Sequence, residues 1–114
     1  MTEPRLATEL RVKAAIRQGM VDGIDVMLVR RGEATAGALL VKLNRLNGAV
    51  TVLTEARDAK GERGWLAGTG REPVDEAAAD AYIARHVGRD PDLWVVEVED
   101  RQGRHPFGGR LIET

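Results

Sequence analysis

The 114 residues contain no cysteine and no serine. Without cysteine there is no disulfide, no thiolate nucleophile and no cysteine-based zinc site, which fits a reducing compartment. Without serine only threonine could supply a nucleophilic hydroxyl, and neither of the two histidines has an evident orienting partner or ligand-like spacing. No metal site is therefore expected. Aromatics are sparse, with one Phe, one Tyr and two Trp, so there is little platform for stacking single-stranded nucleic acid. Seventeen basic residues stand against eighteen acidic ones for a net charge of -1, so no overall field draws the chain to nucleic acid or an anionic membrane. No apolar run approaches a membrane span, and MTEPRLATEL lacks the basic, apolar and small-residue regions of a signal peptide. A cytoplasmic protein without a membrane partner is the expectation.

What is present is ordinary for a globular chain: 43% hydrophobic and 31% charged residues, with short apolar runs bounded by charge and glycine. This length suits one domain over 1–114 with a real core. There is no internal repeat, and only the Gly-rich stretch 60–73 reads as loose.

The segment LATELRV alternates Leu6, Thr8, Leu10 and Val12 against Ala7, Glu9, Arg11 and Lys13, which reads as a half-buried strand leading into a short helix that Gly23 stops. A single helix from about Pro4 to Gln18 is the rival, because Ala, Leu and Arg are good helix formers. VMLVRR (26–31), GALLVKLNR (37–45) and AVTVLTEA (49–56) then read as an antiparallel meander. Asn47-Gly48 predicts a two-residue hairpin, in which Arg45 faces Val50, Leu43 faces Val52 and Val41 faces Thr54. A short strand is expected around Trp65 and Leu66. VDEAAADAYIARHV (74–87) reads as a helix, with acids in its first turn, Arg85 and His86 in its last, and Gly88 as the stop. LWVVEVED (93–100) is the final strand, and the tail HPFGGRLIET has no clear place. The fold class is α+β: a mainly antiparallel sheet of five or six strands with two helices, in the order β-α-β-β-β-(β)-α-β, both helices on one face. The opposite face, carrying Leu40 and Leu53, then needs a cover. The tail or the 60–73 loop could supply it, or the face could form a homodimer interface.

Candidate sites are few. GTGR (68–71) precedes a helix, as phosphate-binding loops do, but no GK[ST] or complete GxGxxG follows a strand and Asp75 with Glu76 would repel the anion. No cofactor is expected. Arg30, Arg31, Lys42 and Arg45 cluster in the sequence, yet the strand layout sets the first two and Arg45 at opposite ends, on the order of 20 to 25 Å apart. Nucleic-acid binding is not expected. Glu97 and Glu99 in VVEVEDR superficially resemble the metal-binding strand of a compact nuclease, but Glu99 stands where that chemistry needs a lysine. By period 2, Leu93, Val95, Glu97 and Glu99 share one face and Trp94, Val96, Val98 and Asp100 the other, so the strand is interior and turns polar as it leaves the core. A ligand site built from Glu97, Glu99 and a base such as Lys42 or Arg45 is the sharper alternative.

VRRGEATAGALLVKLNRLNG (29–48) and DPDLWVVEVEDRQGR (90–104), with DAYIARH between them, resemble the uncharacterised alphaproteobacterial family of small proteins known as domain of unknown function fourteen-ninety-one. The resemblance covers nearly the whole chain. It implies a bacterial cytoplasmic setting and one small domain, and it carries no assigned activity, ligand or catalytic residue. The expectation is a small non-enzymatic binding or accessory protein, acting as a homodimer or on a protein partner. The alternative is a ligand-binding or degenerate nuclease-like domain with a carboxylate site at Glu97 and Glu99.

Overall fold

Five consecutive residues, Trp94 to Val98, contain one charged side chain, and four of them are almost completely buried. Such a strand must lie inside a sheet covered on both faces. In the computed structural model, which describes residues 6–112, it does. The elements are α1 (Thr8–Asp22), β1 (Asp25–Arg30), β2 (Leu39–Asn44), β3 (Val50–Arg57), β4 (Arg63–Ala67), α2 (Glu76–Arg89), β5 (Trp94–Glu99) and β6 (Arg110–Leu111). They form one six-stranded sheet in the order β1-β5-β2-β3-β4-β6. Pairing is mostly antiparallel, and β2 with β5 and β4 with β6 are parallel. The α+β class and its two helices stand as expected.

The expected three-strand meander is corrected. Segments 37–45 and 49–56 do pair, but β5 separates them from β1. The connection from β1 to β2 crosses the start of β5 and wraps the ring of Trp94, whose indole nitrogen donates to the Glu33 carbonyl at 2.7 Å. Glu33 N–H in turn donates to Asp92 O at 3.0 Å, and Trp94 N–H to Ala38 O at 2.8 Å. The Glu33 carboxylate accepts from the Ala36 and Thr35 amides, and these bonds hold its pKa below the ordinary value. The clasp needs two glycines. A Cβ on Gly32 would meet Asp92 O at 2.2 Å, and one on Gly37 would meet it at 2.4 Å.

Residues 8–12 adopt the helical alternative, which starts at Thr8 after Ala7 and runs to Asp22, while the Pro4 start lies outside the described residues. Thr8, Val12, Ala15 and Gly19 are buried at steps of four, three and four, a stripe that crosses the supposed strand boundary, whereas Leu6 and Leu10 are each 52% exposed. Gly23 ends α1 in the left-handed region at φ 72°, as expected. The sixth strand comes instead from the tail, at Arg110 and Leu111.

The Asn47-Gly48 hairpin is a longer loop, and the register is one residue away from the two-residue turn: Asn44 faces Val50, Lys42 faces Val52 and Leu40 faces Thr54. Two asparagines cause this. Asn44 Oδ1 accepts from Leu46 N–H at 2.9 Å and Asn47 Oδ1 from Ala49 N–H at 3.0 Å, and these side-chain turns favour a five-residue loop with Leu46 at φ 63° and Gly48 at φ 84°. A one-residue slip changes which side chains share a face. Leu39, Val41 and Leu53 therefore join Trp94, Val96 and Val98 under α1, while Leu40, Val50, Val52 and Leu93 pack with Ala79, Tyr82 and Ile83 of α2. The helices cover opposite faces rather than one, because these central strands are apolar on both. Leu40 and Leu53, expected together on one uncovered face, lie on opposite faces, Leu40 under α2 and Leu53 under α1.

Helix α2 begins two residues later than expected, at Glu76 rather than Val74. Val74 instead bridges Val50, and Asp75 caps the helix by accepting from Ala78 N–H at 2.8 Å. Gly88 lies within its last turn rather than ending it. The stop is Asp90, held extended at φ -134°, where Pro91 disfavours helical geometry in the residue before it. The tail folds back on the α1 side: Trp65 packs edge-on against His105 and Phe107 at 5.6 and 5.8 Å and donates to Gly108 O at 2.7 Å.

Two measurements test this architecture. Gly32→Ala should destabilise the fold by about 2 kcal/mol or more through the clash with backbone, while Gly88→Ala, whose Cβ meets nothing within 4 Å, should stabilise it by about 0.5 to 1 kcal/mol in urea unfolding. Burial lowers the His105 pKa below its ordinary 6.5, so the fold favours the neutral ring. Its contribution is complete above pH 6.5 and is lost as pH falls and the unfolded chain takes up the proton first. His105→Gln should flatten the pH dependence of stability as pH falls below 6.5, measured as urea midpoints.

Candidate functional site

Lys42 sits in the middle of β2 on the face that α2 covers, and only 6% of its surface is exposed. An ammonium there requires partners, since burying it alone costs several kcal/mol. Three carboxylates supply them. Nζ donates to Glu76 Oε2 and Asp80 Oδ1, each at 2.8 Å, and lies 3.6 Å from Glu97 Oε1. Glu76 and Asp80 are four apart on α2 and so share one side of the helix. Glu97 is placed by the parallel register that sets it beside Lys42, and its other oxygen accepts from Asn44 Nδ2 at 3.3 Å.

Burial pulls the Lys42 pKa down, but the hydrogen bonds to Asp80 and Glu76 and the charge of Glu97 outweigh it, and the ammonium is held well above its ordinary value. A lysine in that state is neither a general base nor an amine nucleophile. It also has no direction left in which to receive a phosphate, since its donors face carboxylates and α2 lies across it. The four charged groups sum to -2, with the cation at the centre of the cluster. Among the described residues no three His, Asp or Glu side chains converge so as to hold a metal ion.

The other expected site residues lie apart. Glu99 faces Asp25 and Asn44 across its neighbouring strands and borders a groove rather than the lysine cluster. Arg45 reaches the Arg101 carbonyl at 3.4 Å. Arg30 donates to the carbonyls of Pro91 and Leu93 at 3.0 and 2.6 Å. Arg31 pairs with Glu9 at 2.6 Å and stacks over Trp94, 5.4 Å from the ring centre. Of the six, only Lys42 and Glu97 come together. GTGR forms the turn after β4, tied to β3 by Gly68 N–H donating to Val52 O and Val52 N–H donating to Thr69 Oγ1.

Sequence reasoning missed Glu76 and Asp80. The usable signal was a lysine inside an apolar strand together with an acidic pair at helical spacing. It also missed the counterpart on the other face, where Arg11 of α1 makes a bidentate pair with Glu55 of β3 at 2.8 and 2.7 Å. That pair borders a cleft of about 270 Å³ that also holds Arg57 and Arg63, which face each other across β3 and β4.

The lysine cluster generates a stability prediction. Lys42→Met should cost about 3 to 5 kcal/mol, because Glu97 is left half-buried without its cation. Lys42→Met with Glu97→Gln should recover a substantial part of that loss, whereas Glu99→Gln alone should stay within about 0.5 kcal/mol. Urea unfolding of the three variants checks this, and equal losses in the single and double Lys42 variants would contradict the role assigned to Glu97.

The comparisons with known proteins agree with the fold. A DUF1491 family protein from Caulobacter crescentus CB15, seen in a crystal structure, superposes with a TM-score of 0.84 at 40% identity, over 94% of this chain and 99% of that one. The NMR structure of a DUF1491 family protein from the same strain gives 0.81 at 38% identity, over 97% and 100%. Protein Atu0922 from A. tumefaciens gives 0.69 at 28% identity, over 84% and 86%. No curated protein matches the chain significantly. The family described as "Protein of unknown function (DUF1491)" matches residues 6–108, and the chain belongs to that family.

Proposed function

We propose that this chain is a non-enzymatic interaction domain whose working surface is the open edge of its sheet at β1. The observation that carries the reading is the character of that edge. β1 is the first strand of the sheet order and has a neighbour on one side only. Its outward backbone N–H and C=O groups can pair with another extended chain. Edges are commonly protected by lysine, proline or a bulge; DVMLVR contains neither residue, and its one bulge falls near the end of the strand, at Val29, leaving Asp25 to Leu28 regular. Met27, Leu28 and Val29 are instead 40, 43 and 58% exposed. Nearby at the end of α1, Met20 is 80% exposed. The interaction surface expected on the second sheet face moves to this edge, since the helices cover both faces.

The lysine cluster supports the same reading from the other side. Its ammonium is enclosed by its own carboxylates, so the residues with the most chemistry are engaged in holding α2. No helix among the described residues is long and apolar enough to cross a membrane.

A peptide library displayed on phage and selected against the folded protein tests this. Recovered peptides should be extended and apolar, and should shift the NMR amide signals of residues 25–30. Peptides that instead shift Lys42, Asp80 and Glu97, with β1 unmoved, would overturn it.

A further inference from the structure

The six residues of β1 have a charge at each end and apolar side chains between, and a β-bulge decides which of them share a face. Asp25, Met27 and Arg30 pair with Glu99, Glu97 and Val95 of β5, whereas Val26 and Leu28 pair with Val98 and Val96. Opposed residues in an antiparallel ladder point the same way. Asp25, Met27 and Arg30 therefore project toward the α2 side, and Val26 and Leu28 toward the α1 side. Val29 is the extra residue between the two pairings that flank it. Without the bulge, Arg30 would fall on the opposite side from Asp25.

This pattern reads the same from either end. We propose that the occupant of the β1 edge is a second copy of the chain, paired antiparallel about a two-fold axis through Met27; the proposal rests on the reading of β1 as the interaction edge. A two-fold axis perpendicular to the sheet keeps like faces together, so each residue must meet one from its own side. Centred on Met27, the register sets Asp25 against Arg30 of the second copy and Val26 against Leu28 of the second copy. Met27 meets its own equivalent on the axis. Charges oppose and apolar groups meet at every position. A register centred on Val26 would set Asp25 against Met27, and one centred on Leu28 would set Met27 against Arg30, so charge complementarity selects one pairing.

The surroundings fit the same occupant. Asp25 makes no salt bridge among the described residues, and Arg30 holds the Pro91 and Leu93 carbonyls through Nη1 alone, leaving its Nε and Nη2 donors for the carboxylate of the second copy. A groove of about 340 Å³ runs along the start of β1, lined by Ile16, Met20, Val26 and Met27 among others. Leu28 of the second copy, beside Val26, reaches its mouth. The contact joins two six-stranded sheets into one and covers the only apolar strand edge of that length among the described residues, since the edge strand at the other side, β6, is two residues long.

The test uses the full chain. Light scattering across 10 to 500 µM should approach twice the 12.4 kDa chain mass. Asp25→Lys and Met27→Lys should each raise the dimer dissociation constant at least tenfold, while Leu46→Lys, at a remote exposed loop, should leave it unchanged. Because the chain has no cysteine, Met27→Cys supplies a second readout that does not depend on the charged variants folding. Mild oxidation should link it into a covalent dimer, and Leu46→Cys should stay monomeric. A monomer at 500 µM with no Met27→Cys linkage overturns the second-copy assignment. A dimer that Met27→Lys leaves intact, or equal linkage through both cysteines, overturns it too. If β1 still takes peptides in the phage experiment, the interaction edge survives that result, and if it takes none, both readings fall.

Discussion

The fold depends on one strand, β5, being buried on both faces. Four of its six residues have under 2% of their surface exposed, and a strand of that kind needs a neighbour on each side and a cover above and below. Each requirement places another element. β1 and β2 supply the neighbours, α1 and α2 the covers. The chain must also cross from β1 to β2 over the end of a strand that is synthesised more than fifty residues later. Trp94 makes that crossing a fixed one, because its indole fills the loop and its ring nitrogen is satisfied by the loop carbonyl of Glu33. A buried indole without that acceptor would leave a desolvated donor, so ring packing and loop conformation are stabilised together.

Each helix is also tethered to the sheet through one basic side chain: Lys42 to Glu76 and Asp80 under α2, and Arg11 of α1 to Glu55. Neither is a large net source of stability, since desolvation offsets much of the attraction. A leucine at position 42 would bury as well, but it would accept α2 at many rotations and offsets. A lysine accepts only placements that bring carboxylates to its ammonium, so the tether fixes where the helix lies. This explains why the most polar group of the interior faces a helix rather than a cavity. It also separates two meanings of a buried charged cluster. A catalytic cluster keeps one group short of partners and open to substrate. Here the ammonium is saturated, and the carboxylates left partly in water are spread along the outside of a helix.

Much of this was legible in local pattern. The alternation of 93–100 was read correctly down to which side each residue takes, because a strand's period of two is rigid. The helix of 74–87 was found to within two residues at each end, from the acids of its first turn and Arg85 and His86 in its last. What failed was non-local or degenerate. Thr8 and Val12 fit both a strand face and a helical stripe, and only Ala15 and Gly19, beyond the short segment considered, separate the two. The order β1-β5-β2 is invisible in a linear reading, because hairpin logic assumes that neighbours in sequence are neighbours in space. The register of β2 and β3 turned on Asn44, whose side chain competes with Asn47-Gly48 for control of the loop. Of the candidate site, Lys42 and Glu97 were named, but their helix partners required knowing which face α2 covers. That in turn depended on the misplaced register.

The same insertion that buries β5 leaves β1 at the edge. A strand that must turn out of the sheet and pass around Trp94 has to change direction at its end, and the extra residue at Val29 provides that turn. The turn carries Arg30 toward the carbonyls of Pro91 and Leu93, which it ties to the start of β5. In doing so it brings Arg30 to the side of the sheet that holds Asp25 and Met27. An irregularity required by the crossing thus sets the pattern that the outer edge presents. The clasp around Trp94 fixes the interior, and through the bulge it also fixes the chemistry of the surface that any strand arriving at β1 would meet.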